Sequence, residues 1–85
     1  MSNKITVQVL CFAAVRELVG AGEVTVALPA NAVARDVLEV LCMRHPALRA
    51  HAGSIRLAVD GEYVQGDASL RPGAEVALIP PVAGG

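Results

Sequence analysis

The sequence has almost no aromatic residues: Phe12 and Tyr63 are the only two among 85 residues, and tryptophan is absent. Neither sign of charge dominates, because the sequence has seven lysines and arginines and eight aspartates and glutamates, which gives a net charge of −1. Proteins that bind nucleic acid need a basic surface for the phosphates, and those that bind single strands also stack bases on aromatic rings. The composition therefore argues against nucleic acid as a partner.

Long apolar runs are also absent. No stretch approaches the roughly 18 consecutive apolar residues of a transmembrane helix. The one candidate for a secretory signal, VLCFAAV at residues 9–15, is followed at once by Arg16 and Glu17 and has no clear cleavage site. This pattern favours a strand that leads into a helix. We therefore expect a cytoplasmic protein that has no membrane partner.

The residues that could bind a metal or attack a substrate are few and scattered. Cys11 and Cys42 are expected to be buried free thiols, because a disulfide needs an oxidising compartment and a metal site needs further ligands at closer spacing. His45 and His51 are expected on the surface, His45 at a helix end. No serine has the context of a nucleophile elbow, and no glycine-rich loop opens a helix to bind phosphate. The folded body thus offers no recognisable active site or metal site.

Apolar periodicity predicts about five short strands and two helices in a single domain. Residues 4–12 begin with alternating apolar and polar side chains, the period of a strand, and residues 13–20 are rich in helix formers and end at a glycine. Further elements are a strand over 23–29, a hairpin turning at Asp60-Gly61, a type II turn at Pro72-Gly73 and a last strand over 75–79.

The longest helix is predicted after Asn31, with Asn31 as its N-cap and Pro46 ending it near His45. Three- and four-residue spacing would turn one stripe toward the core; this stripe contains Val33, Val37, Val40, Leu41 and Arg44, and Leu38 widens it. An ion pair between Arg35 and Glu39, four residues apart, is expected on the solvent side. Residues 47–54 are expected to form a loop or one further turn.

This order of elements favours an α+β domain of the β-grasp, ubiquitin-like type, with a mixed sheet packed on one main helix and a short helix after the first strand. A ferredoxin-like fold is the competitor, but it needs two comparable helices. We expect the β-grasp domain to span residues 1–79 and an extended C-terminal tail to span residues 80–85.

The most unusual segment is this tail, PPVAGG. No charged side chain follows Glu75, whereas a disordered terminus is normally polar. Glycine has no Cβ, so the last two residues can pass through a narrow channel and leave the terminal carbonyl carbon open to attack. Six extended residues reach about 20 Å at most, and two prolines reduce the entropy lost on docking. We therefore expect Gly85 to carry the chemistry, after its carboxylate is activated as a mixed anhydride with AMP, and the rest of the tail to enter another protein: Pro80, Pro81, Val82, Ala83 and Gly84.

Two blocks of the sequence resemble the small subunit of molybdopterin synthase, a family of ubiquitin-like sulfur carriers. FAAVRELVG, residues 12–20, is similar to the segment after the first strand in that family, and RPGAEVALIPPVAGG, residues 71–85, is similar to its Pro-Pro-Val-x-Gly-Gly ending. The resemblance implies that an activating enzyme adenylates Gly85 with ATP and that a sulfur donor then makes a thiocarboxylate. The sulfur would pass to a cyclic pyranopterin phosphate inside the large synthase subunit.

The resemblance also implies partners and contacts. The chain itself would bind no cofactor, and two small subunits would sit on a dimer of large subunits in a heterotetramer. Phe12, Arg16 and Ile79 would contact the large subunit beside the tail, although the family commonly has an aromatic residue where Ile79 stands. The residues alone equally allow Phe12 to be a core residue and Arg16 to be a solvated helix residue.

Three other functions stay open. The protein could carry sulfur for another product, such as thiazole, cysteine or a thiolated nucleoside. It could be a ubiquitin-like modifier whose Gly85 is joined to lysines of target proteins. It could also be an interaction domain whose tail has no chemical role.

Overall fold

The computed structural model describes residues 3–81, which form one five-stranded sheet, two α-helices and a 3₁₀ segment. The strands are β1 (Lys4–Cys11), β2 (Glu23–Pro29), β3 (Arg56–Val59), β4 (Glu62–Val64) and β5 (Glu75–Ile79). The helices are α1 (Ala13–Val19) and α2 (Ala34–Arg44), and the 3₁₀ segment is Pro46–Ser54.

The sheet has the strand order β2-β1-β5-β3-β4, in which β1 and β5 are parallel and the other neighbours are antiparallel. This mixed sheet with one long helix confirms the predicted β-grasp fold. The two helices are not comparable, since α1 has 7 residues and α2 has 11, so the ferredoxin-like alternative is excluded.

Alternation along the strands places one face of the sheet in the core, as predicted. The buried strand residues on this inner face include Ile5, Val7, Val9, Cys11, Val26, Leu28, Val76 and Leu78. Helix α2 covers the inner face through contacts with β2, β3 and β5. The opposite face, which we call the outer face, carries the intervening residues of each strand.

Two turns have the geometry that the sequence predicts. Asp60 and Gly61 connect β3 to β4 with φ values of 50° and 86°, and positive φ at both central positions defines a type I′ hairpin turn. At the turn before β5, Gly73 has φ 79° and the Ala74 N–H donates to the Arg71 carbonyl oxygen at 3.1 Å. Both turns set the register in which β5 enters the sheet.

The start of α2 differs from the prediction that Asn31 caps it. The N-cap is Val33, whose backbone N–H donates to the Asp36 carboxylate at 2.8 Å. The first helical N–H groups find partners in a neighbouring loop: Ala34 donates to the carbonyl oxygen of Ala68 and Arg35 to that of Gly66, both at 2.9 Å. Because the loop supplies these acceptors, the helix needs no Asn31 cap.

The solvent side of α2 also differs. The predicted pair of Arg35 and Glu39 is wrong, since Glu39 accepts two hydrogen bonds from Arg49 of the 3₁₀ segment, at 2.7 and 2.9 Å. That segment has nine residues rather than a single turn, and it buries Leu48 completely. Arg44, predicted to lie on the buried stripe, is exposed, and the buried residues of α2 are Ala34, Val37, Leu41 and Cys42.

Candidate functional site

The predicted contact residues Phe12 and Ile79 lie where two neighbouring strands end, at the same end of the sheet. β1 and β5 run side by side in the same direction, with Cys11 opposite Leu78. The chain therefore leaves β1 at Phe12 and β5 at Ile79 at the same end of the two strands. We call this end of the sheet the exit end. Pro80 is half-buried and Pro81 is exposed. The predictions for Val82, Ala83, Gly84 and Gly85 lie outside the described residues.

Phe12 stands exposed at the exit end. Its side chain retains 46% of its accessible surface, so the alternative that Phe12 is a core residue is wrong. It forms the N-cap of α1 with extended backbone angles, while Val15 anchors that helix in the core at 1% exposure. The next residue, Ala13, has φ 48°, a left-handed conformation that costs a non-glycine residue about 1–2 kcal/mol. The chain thus makes a strained turn directly after the exposed ring.

Arg16 lies one helical turn beyond Phe12. Its backbone N–H donates to the Phe12 carbonyl oxygen at 3.3 Å, and its side chain is exposed. The guanidinium lies against Gly22 in the connection to β2, where a Cβ on that glycine would sit 3.6 Å from the Arg16 Cζ. Arg16 therefore places a positive charge on the β2 side of the exit end.

A second arginine, which the sequence did not indicate, lies on the other side. Arg56 begins β3 and is the cross-strand partner of Ile79, the last residue of β5. Its guanidinium lies over the Tyr63 ring, 4.2 Å from the centroid, and Tyr63 is 58% exposed. The sequence does contain one signal for this placement, the alternation along the hairpin. Leu57 and Val64 face the core, so Arg56 and Tyr63 face the opposite side of the sheet. Arg56 and Arg16 thus flank the point where the tail begins.

The outer face next to the exit end is apolar. The strand registers align Leu10, Ala77, Ala58 and Tyr63 in one row across four strands. Leu10 and Ala77 are half-buried and Ala58 is 6% exposed. These three small or half-buried side chains therefore protrude little from the sheet, in contrast to the exposed rings of Phe12 and Tyr63. This apolar surface lies between Arg56 and Arg16 and is bounded on β2 by the exposed Glu23, the cross-strand partner of Leu10. Such a surface suits a protein partner better than a small-molecule ligand.

Within residues 3–81 there is no surface pocket and no group of three His, Cys, Asp or Glu side chains that could hold a metal ion. His45 is half-buried and His51 is exposed. Cys11 and Cys42 are buried free cysteines, as predicted, and burial raises the pKa of both thiols. Among the described residues, no helix has the length and apolarity to span a membrane. What the described residues bring together at the exit end is thus an exposed ring, two arginines and an apolar row.

The chain is similar to known proteins over most of its length. The chain matches the ThiS family over residues 9–85. It is 40% identical over 81 residues to a molybdopterin synthase sulfur carrier subunit from Chlamydomonas reinhardtii, covering 93% of this chain and 98% of that protein. A subunit of the same name from Arabidopsis thaliana is 31% identical over 84 residues, covering 99% and 88%. The fold superimposes on the small archaeal modifier protein SAMP1 from Haloferax volcanii with a TM-score of 0.85 and 30% identity, covering 94% of this chain and 99% of that one.

Proposed function

The chain belongs to the ThiS family, and from this premise we propose that it is the sulfur carrier subunit of molybdopterin synthase. The observation that carries the proposal is the course of β5, which brings the start of the Pro-Pro-Val-Ala-Gly-Gly tail out of the sheet beside the exposed Phe12. In this proposal the folded domain binds the partner proteins, and the reacting atom is the C-terminal carbonyl carbon of Gly85. The proposal places the protein in the cytoplasm, where ATP is available.

The proposed chemistry begins with activation of the Gly85 carboxylate, which is a poor electrophile because it is anionic at neutral pH. In an activating enzyme, a carboxylate oxygen attacks the α-phosphate of ATP, pyrophosphate leaves, and an acyl adenylate forms. A donor at the sulfide level then attacks the carbonyl carbon through sulfur, a C–S bond forms, the C–O bond to AMP breaks, and loss of the sulfur's remaining proton leaves a thiocarboxylate. The thiocarboxylate sulfur is a nucleophile at neutral pH and is delivered to a cyclic pyranopterin phosphate, which needs two such transfers for its dithiolene.

Two partners follow from this chemistry: the activating enzyme and the large synthase subunit. The described residues include no catalytic group, so both partners have to supply the acids, bases and substrate pockets. We propose that both dock on the exit end and on the apolar row of the outer face, with Phe12, Arg16 and Ile79 as contacts beside the tail. The complex with the large subunit is proposed to be a heterotetramer of two small and two large subunits.

Intact mass spectrometry tests the proposed chemistry. The chain is incubated with ATP, a sulfur source and an adenylating enzyme of the sulfur carrier type. The expected result is a mass gain equal to one oxygen-to-sulfur exchange, localised to Gly85 by fragmentation. A chain that lacks Gly84 and Gly85 is the matched control and stays unmodified. An unmodified full-length chain beside an enzyme that thiolates its own known carrier would overturn the proposal.

A second candidate is a ubiquitin-like protein modifier, which the likeness to SAMP1 favours. In that case Gly85 is joined to lysine side chains of other proteins through isopeptide bonds. Tagging the chain at its N-terminus and digesting cell proteins with trypsin distinguishes the two functions. A modifier yields peptides with branched lysines, whereas a sulfur carrier yields the thiocarboxylate and a complex with the large subunit.

A further inference from the structure

The side chains of this protein include only one primary amine that an activated acyl group could modify. Lys4 is the only lysine, so the other six of the seven basic residues are arginines. Lys4 is exposed at the first position of β1, opposite Pro29. The strand rises about 3.3 Å per residue, which puts Lys4 about 23 Å from Cys11 at the exit end. The one side-chain amine thus lies at the far end of the sheet from the start of the tail.

The exit end itself carries its positive charge on arginines. Arg56 lies directly across from Ile79, and Arg16 lies one turn after Phe12. A guanidinium stays protonated throughout the physiological pH range and has no free lone pair, so it does not attack an acyl carbon. A lysine at either position would give the same charge but would also offer a primary amine to a group held on the tail.

The exit end also has a thiol, and the fold hides it. Cys11 is the cross-strand partner of Leu78, one residue before the end of β5, and its side chain is 3% exposed. Burial raises the pKa of this thiol, and the thiolate is the nucleophilic form. A thiol that is both neutral and inaccessible cannot attack the activated carbonyl of the tail.

We propose that the exit end is kept free of side-chain amines and of accessible thiols, with Arg16 and Arg56 as cations that do not react, so that the activated Gly85 is not captured by its own domain. This inference rests on the proposed function, because it needs the acyl adenylate. The reaction that is avoided has a simple balance: an amine nitrogen attacks the carbonyl carbon, a C–N bond forms, the C–O bond to AMP breaks, and the amine gives one proton to water.

The decisive variant is Arg56→Lys, which keeps the charge and places an amine beside Ile79. The chain is incubated with ATP and the adenylating enzyme, without a sulfur source, and analysed by intact mass. A cyclised chain is lighter than the free chain by one water. Tethered groups have effective concentrations of about millimolar, so at micromolar protein the cyclised yield is expected to be at least about tenfold above that of the natural chain. The yield should not change on dilution.

The matched control is Arg71→Lys, at the other end of the sheet. Arg71 is paired with Asp60 in the β3–β4 turn, and the nearby Gly73 N–H donates to Thr6 of β1. This variant is expected to form only concentration-dependent dimers, and the same is expected of the natural chain through Lys4. Arg16→Lys is a second test at the exit end, and circular dichroism checks that each variant is folded.

Measuring pyrophosphate release distinguishes a failure of the inference about the exit end from a failure of the proposed function. If Arg56→Lys and Arg16→Lys both release pyrophosphate and neither gives the cyclised product, the inference about the exit end is wrong while the proposed function stands. An Arg71→Lys chain that cyclises as readily as Arg56→Lys also overturns the inference. If the natural chain releases no pyrophosphate with a competent enzyme, the proposed function fails and this inference fails with it.

Discussion

Cys11 and Leu78 face each other across the parallel pair of β1 and β5, and this register determines which parts of the chain meet at the exit end. Phe12, the residue after β1, and Ile79, the last residue of β5, therefore lie at the same end of the sheet although they are far apart in sequence. If β1 and β5 were antiparallel, the tail would begin at the opposite end of the sheet from Phe12. The docking surface and the start of the tail therefore depend on the same pair of strands.

Phe12→Ala is expected to weaken binding to the large synthase subunit without unfolding the domain. The ring is 46% exposed at the exit end, and exposed aromatic anchors often contribute more than about 1 kcal/mol to binding, or about fivefold in Kd. Calorimetric titration measures the affinity, and urea unfolding measures the stability. Met43→Ala is the control, since Met43 is 73% exposed on the solvent side of α2. Equal affinities for the two variants would show that Phe12 is not a contact.

Ala13→Gly is expected to leave the stability unchanged or raise it by up to about 1 kcal/mol. Ala13 has φ 48°, a region that costs alanine about 1–2 kcal/mol but costs glycine little. Ala14→Gly is the matched variant, because Ala14 is also exposed but lies inside α1, where glycine costs about 1 kcal/mol. Urea unfolding of both variants gives the comparison. The same loss of stability in both would show that Ala13 is not strained.

Leu48→Ala is expected to destabilise the domain by about 2–5 kcal/mol, the range for a fully buried leucine. Leu48 has 0% exposure although it lies in the 3₁₀ segment between α2 and β3. The measurement is the free energy of unfolding in urea, and Met43→Ala again serves as the exposed comparison, expected within about 0.5 kcal/mol of the natural chain. A small effect at Leu48 would mean that the 3₁₀ segment is not part of the folded core.

The strands and turns could be predicted from the sequence because their signals are local. Two-residue alternation fixed the buried face of β1, and Asp60-Gly61 is a pair that tolerates positive φ at both positions, so the type I′ turn followed directly. Pro46 marks the end of α2 for an equally local reason, since the residue before a proline disfavours helix. The free, buried cysteines were also predicted correctly.

The errors occur where a partner comes from a distant part of the chain. Asn31 is a good N-cap by type, but the N–H groups at the start of α2 bind carbonyl oxygens of Gly66 and Ala68, which no local pattern reveals. Glu39 has an acceptable partner four residues earlier, yet Arg49 reaches it with two hydrogen bonds. Arg56 was overlooked at the candidate site for the same reason, because its position beside Ile79 depends on the register of β3 and β5.

Both cysteines are expected to resist thiol reagents until the domain opens. Cys11 is 3% exposed and Cys42 is 2% exposed, and burial raises the pKa of each thiol. Labelling with iodoacetamide at pH 8, followed by intact mass, should be at least about tenfold slower in buffer than in urea, where the unfolded thiols titrate near their ordinary pKa of about 8.5. Rapid labelling of Cys11 in the folded chain would contradict the inference that the thiol at the exit end is inaccessible.

Asp60→Asn is expected to lower the stability at neutral pH and to have no effect in strong acid. The Asp60 carboxylate accepts hydrogen bonds from the Glu75 N–H at 3.0 Å and from Arg71 at 2.7 Å, and these contacts hold the pKa of Asp60 below its ordinary value. A lowered folded-state pKa means that the stabilisation is fully present above the unfolded pKa of about 3.9 and is lost as the pH falls through the folded-state value. Asparagine keeps an acceptor oxygen and tolerates the positive φ, so this variant removes mainly the charge.

Urea unfolding of the natural chain and of Asp60→Asn from pH 7 down to pH 2 measures this dependence. The difference in unfolding free energy between the two chains should stay constant down to about pH 4 and then shrink toward zero, because the natural Asp60 is protonated in acid. Asp67→Asn controls for the loss of one negative charge, since Asp67 is exposed and has no hydrogen-bond partner among residues 3–81. A difference for Asp60→Asn that persists unchanged at pH 2 would mean that Asp60 acts through the shape of its turn, and that its charge does not hold β5 in register.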